Sequence, residues 1–192
     1  NEKTNALNVF KAASQLEFDK ELQENSLFSY AKLSYETSFD PHFNAVEAFW
    51  EYYDKFPESE KRDEVLSFLV NLYLTTKNYK AAMISLEAIK QPNEQLKGVH
   101  QFVAYNLGVD YFINGYYKPS IANFQKAQKY PMDKNLNAMS YYWIGEASYR
   151  LKNYDGAITS YKEFIFQPIA ILQNEYNNTN YNIAYSYFKK KD

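Results

Sequence analysis

A repeat of 37–38 residues runs through this chain, and it limits the possible folds more than any other feature. Ala45, Ala82, Ser120 and Ala157 recur at intervals of 37, 38 and 37 residues. A large apolar residue follows each by four positions: Phe49, Leu86, Phe124 and Tyr161. Residues four apart share a helix face, so small-then-large marks a helix lying against a neighbour. Upstream of these, Ala31, Val70, Gly108 and Gly145 sit in apolar stripes with helical offsets, for example Tyr141, Ile144, Gly145 and Tyr149. Glycine inside a helix costs about 1 kcal/mol relative to alanine. Gly108 and Gly145 therefore predict close helix–helix approach.

The prolines punctuate the same register. Pro57, Pro92, Pro131 and Pro168 follow the small residues by 12, 10, 11 and 11 positions. Proline inside a helix loses a hydrogen bond and clashes with the preceding turn, so each of these marks a helix end. Pro41 and Pro119 fall at predicted helix starts, where proline is tolerated. Short turns at 76–79, 114–117 and 152–155 carry Asn or Gly, which accept the left-handed conformation that closes a helix. The spacing predicts helix pairs at 25–38/42–56, 61–76/79–90, 93–114/117–130 and 134–151/154–166, with further helices near 5–22 and 172–189. These give repeat units at 25–57, 61–92, 93–131 and 134–168, expected to form one all-α domain over 1–192.

One of these units carries a family resemblance. Trp143-Ile144-Gly145, Tyr149, Ala157, Tyr161 and Pro168 resemble the tetratricopeptide repeat (TPR), as do Leu107-Gly108, Tyr111, Phe124 and Pro131. The units at 61–92 and 25–57 depart from it, with Val70 and Ala31 in place of the glycine. The resemblance implies antiparallel helix pairs stacked in a right-handed TPR solenoid. Its repeats are longer than the usual 34 residues of the family. In a narrower respect, Tyr142-Trp143-Ile144-Gly145-Glu146 is similar in style to periplasmic TPR proteins of the Tol–Pal system. The stretch Phe28–Tyr35 is similar to long TPR proteins of Bacteroidetes. Both imply a bacterial envelope or periplasmic location.

Charge and composition narrow the partner classes. With 21 basic and 23 acidic residues, nothing favours neutralisation of a phosphate backbone, and nucleic acid is not expected. No run approaches the ~20 apolar residues of a spanning helix, so direct membrane insertion is not expected. The absence of Cys removes thiol catalysis and thiolate metal sites. His42 and His100 stand alone, and no metal site or cofactor is expected. The run Glu17, Asp19, Glu21 and Glu24 reads as a solvated helix face. Asp110 and Glu146 could approach across adjacent helices, yet no nucleophile–base set supports an enzyme.

Stacked helix pairs create an extended binding face, and in the TPR family the first helix of each pair lines it. Carried onto this chain, that implies Phe102, Tyr105, Phe112, Met139, Tyr142, Glu146, Tyr149 and Arg150 as partner-binding candidates. Tyrosines suit recognition surfaces, but aromatic stripes at helical spacing also serve as core, and both readings stand at this point. The expected function is a scaffold that binds a partner protein or peptide. The alternative is a structural or self-associating repeat module without a peptide groove. The chain begins on Asn1, and Asn182–Phe188 is like the first helix of a further repeat, so a longer parent chain and end-to-end self-association are expected.

Overall fold

The computed structural model describes residues 2–37 and 41–191, with the side chains of 41–44 excepted. The side chain of His42 and residues 38–40, on which the predicted turn falls, lie outside what is described. The described residues form ten α-helices, one 3₁₀ helix and no strand. They group into two compact units, 1–91 and 92–192.

The first unit holds α1 (Glu2–Ala13), α2 (Lys20–Thr37), α3 (Pro41–Lys55), α4 (Arg62–Thr75) and α5 (Tyr79–Ala88). Each packs on the next in chain order. Their shared core buries Leu27, Ala31, Ala45, Phe49, Leu66, Val70, Ala82 and Leu86, the small and large residues of the repeat among them. Phe49 stacks on Phe68, with ring centroids 5.1 Å apart and planes 7° from parallel.

The second unit holds α6 (Glu94–Ile113), α7 (Tyr117–Gln128), α8 (Lys134–Arg150) and α9 (Tyr154–Phe166), then a 3₁₀ turn (Pro168–Leu172) and α10 (Tyr176–Lys190). Consecutive helices again pack together, and α6 also touches α8, so first helices of successive pairs lie side by side. Within each unit this is the all-α helix-pair arrangement that the repeat predicts. None of the six prolines falls in a helix interior: Pro41 opens α3, and Pro119 sits in the first turn of α7.

Helix starts follow local chemistry. Asn78, Asn93, Asp133 and Asn153 cap α5, α6, α8 and α9, each accepting a backbone N–H of the first turn. The turns inside the helix pairs differ from expectation. The left-handed residue is Gly115 in one, but Lys77 and Lys152 in the other two, with φ of 78°, 56° and 59°. The asparagines beside the two lysines begin the next helix instead. In all three turns an N–H reaches back five residues, from Asn78 to Tyr73, Tyr116 to Tyr111 and Asn153 to Ser148. That bond satisfies a carbonyl the helix end would otherwise leave open.

The predicted helix at 5–22 is also corrected. It breaks after Ala13, and Asp19 starts α2 by accepting the Leu22 N–H at 3.0 Å. The acidic run is thus not one solvated helix face. Glu24 reaches inward, where the Tyr52 and Ser59 hydroxyls both donate to its Oε1 at 2.6 Å. Those bonds, Ser59 first, hold the Glu24 carboxyl below its ordinary value.

Candidate functional site

The site in the second unit begins with a missing side chain. A Cβ added to Gly145 would lie 2.6 Å from the Tyr161 ring, so the bare backbone of α8 lets α9 approach closely. Gly108 repeats the device with the Phe124 ring at 2.9 Å, and there the buried Ser120 hydroxyl donates to the Gly108 carbonyl at 2.8 Å. The sequence expectation of close approach at both glycines holds.

Close approach at Gly145 carries Tyr161 across to the next residue of α8. The Tyr161 hydroxyl donates to Glu146 Oε1 at 2.7 Å, and Asn182 Nδ2 of α10 donates to the same oxygen at 2.9 Å. Tyr161 is buried, and its phenol is raised well above the ordinary value, first by burial and then by the bond to Glu146. Glu146 is thereby held from two sides by neutral donors. Asp110, the other acid singled out from the sequence, accepts from the Asn114 side-chain amide one turn on at 3.3 Å.

A cleft of about 380 Å³ opens beside this carboxylate, lined by Glu146, Tyr149, Arg150, Tyr161, Asn182 and Tyr185. Two of its rings meet, with Tyr149 6.1 Å from Tyr185, and Tyr149 also packs at 5.6 Å on Tyr154 outside the lining. Burial raises the Tyr149 phenol, with Tyr185 beside it adding to the effect. Three of the residues taken from the sequence, Glu146, Tyr149 and Arg150, therefore share one cleft.

The other candidates sit elsewhere. Tyr142 packs between helices, with its ring 5.5 Å from Phe164 and 6.1 Å from Tyr161, and burial pushes its phenol up to about 12. Tyr105 accepts the Trp143 indole N–H at 3.0 Å and meets the buried Phe124 edge-on. Phe112 packs against Trp143 at 4.9 Å. Met139 packs with the Ala138, Phe164 and Ala170 cluster. Phe102 is 45% exposed and lines a second, shallower depression near the start of α8.

Three contributors are absent from the sequence-based set. Asn182 falls 37 residues after Gly145, in the glycine register of a further repeat, and a polar residue at that register is a readable signal. Tyr185 follows from the same extension, one turn along α10. Gln101 has no such signal. Fully buried, it donates to the Asp133 carbonyl at 2.9 Å and accepts the Asp133 N–H at 2.6 Å, which fixes the start of α8.

Among the described residues, no three His, Asp or Glu side chains converge on one point. No described helix is long and apolar enough to cross a membrane. Comparison with curated proteins gives no match. The family model described as tetratricopeptide repeat matches residues 138–165, nearly the whole α8/α9 pair. Repeats of this kind generally mediate protein–protein interaction, on a fold that is typically a non-enzymatic scaffold. That match, with similar helix pairs recurring through the all-helical described residues, supports a tetratricopeptide-repeat protein.

Proposed function

We propose that the chain is a non-enzymatic scaffold that binds a partner protein or peptide on the face built by its first helices, with α8 and α10 as its centre. The cleft beside Glu146 carries this reading. It is open, it joins charged and aromatic groups, and its walls come from α8 and α10, with Tyr161 contributed by α9. Tyrosine and arginine are the residue types that dominate binding energy at protein interfaces. Tyr105, Tyr142 and Phe112 support the face from behind through their packing.

The test is crosslinking and co-purification from the native cells, comparing the wild type with Tyr149→Ala and Arg150→Glu. Both residues border the cleft, so the variants should stay folded. Loss of the captured partner in these variants, but not in a variant of exposed Glu163 on α9, supports the face. Equal capture by all of them moves the site elsewhere. We place the partner in a bacterial envelope assembly, on the resemblance of Tyr142–Glu146 to periplasmic TPR proteins, and cell fractionation tests that location.

One observation favours a second reading, self-association. Tyr181, Tyr187 and Phe188 on α10 are 68, 44 and 58% exposed. Large exposed apolar surface marks interaction sites. Sedimentation of the chain should then show a concentration-dependent dimer that Tyr181→Ser with Phe188→Ser abolishes.

A further inference from the structure

We propose that the cleft beside Glu146 is a receptor for one basic side chain, lysine or arginine, of the bound partner. This rests on the reading of the α8/α10 face as the binding surface and gives that surface a chemical specificity. The Glu146 carboxylate is the starting point. Its Oε1 is engaged by Tyr161 and Asn182, both neutral donors, which fix its position without compensating its charge. Arg150 stands one helical turn on, the spacing of a helix ion pair, yet Glu146 forms none with it. A half-buried carboxylate held in place and lacking a counter-cation favours an incoming positive group.

The walls suit the same ligand. Tyr149 and Tyr185 stand 6.1 Å apart with their planes tilted by 33°. Tyrosine faces attract ammonium and guanidinium groups, and their apolar surface accepts the methylene stem of a long basic side chain. The Tyr185 ring already draws one cation, since Lys189 Nζ lies 5.7 Å from its centroid. A carboxylate floor with tyrosine walls disfavours an acidic side chain and offers a neutral amide no counter-charge. Arg150 on the same wall opposes any cation that Glu146 does not itself engage, so a single basic residue with an acidic or neutral neighbour is favoured over a basic run.

The test uses the whole chain and small probes, followed by amide and tyrosine NMR shifts. N-acetyl-arginine amide is compared with N-acetyl-citrulline amide, which has nearly the same shape and no charge. The variant is Glu146→Gln, whose amide oxygen still accepts from Tyr161 and Asn182 and so preserves the local fold. Saturable shifts at Tyr149, Asn182 and Tyr185 are expected with the arginine probe. Binding should weaken at least tenfold with the citrulline probe and at least tenfold in Glu146→Gln. No response at the cleft, equal response to the two probes, or an unchanged response in Glu146→Gln overturns the proposal. The broader reading is separated by partner capture. If Tyr149→Ala loses the partner and Glu146→Gln keeps it, the face stands and the basic-side-chain specificity falls.

Discussion

At the scale of single residues, Gly145 and Tyr161 form a matched pair in which one residue is small because the other is large. Replacing Gly145 with Ala gains about 1 kcal/mol of helix propensity. It also places a methyl 2.6 Å from a buried ring, so one of the two must shift. Overpacking of that kind costs about 1–3 kcal/mol, so Gly145→Ala should lower the denaturation midpoint despite the better helix former. Adding Tyr161→Leu should recover part of the loss, and a double-mutant cycle measures the coupling. An unchanged or raised midpoint in the single variant would contradict the packing account. Glu24 gives a second residue-level expectation. Its carboxyl is held below the ordinary carboxylate value by the Ser59 and Tyr52 hydroxyls. A depressed folded-state pKa adds stability that is complete above the unfolded value and lost as pH falls through the folded one. Glu24→Gln should therefore be less stable than wild type at neutral pH, and the gap should close in acid unfolding titrations below about pH 4.5.

At the scale of elements, the repeat register and the prolines made most helices readable, because both follow from rules local to the chain. The predicted pair at 134–151/154–166 lies within a residue of α8 and α9. The break between α1 and α2 was hidden, because Ser14–Phe18 lacks Gly and Pro and the acidic run that follows resembles a helix face. What decides it is Asp19 acting as a cap, a choice between two uses of one side chain. The turn residues were half legible: Asn next to Lys signals a turn, but not which of the two turns left-handed. At Lys77 and Lys152 the lysine does, and a left-handed residue other than glycine costs about 1–2 kcal/mol. Lys152→Gly should thus stabilise the second unit by up to about 1 kcal/mol after the entropy of glycine is set against the relief. Thermal unfolding measures it, and a fall in midpoint would show that the lysine stem contributes packing. The site was legible only on α8. Asn182 and Tyr185 could be aligned with α8 through the repeat register, but a polar residue in a glycine position signals a change of role without naming Glu146 as its partner.

At the scale of the whole molecule, 20 tyrosines are spread through both units. Tyr52 in the first unit, and Tyr142 and Tyr161 in the second, all have phenols raised above the ordinary 10.0, in each case by burial first. A raised pKa adds stability that is full below the unfolded value and is lost as pH rises through the folded one. Stability should therefore decline above about pH 10. In a phenolate absorbance titration, part of the tyrosine signal should appear late, together with the loss of helical circular dichroism. A single early titration with the helices intact would contradict this.

The two tryptophans divide evenly between the units. The Trp50 indole N–H donates to the Tyr73 hydroxyl at 2.9 Å, and the Trp143 indole N–H donates to Tyr105 at 3.0 Å. Each indole is thus fixed in a bonded, ring-lined setting that unfolding of its own unit destroys, so each unit carries a native fluorophore. With Trp50→Phe and Trp143→Phe prepared separately, emission reports one half of the chain at a time, without labels. Coincident curves would mean that the halves melt as one cooperative body, and offset curves that each holds its own fold.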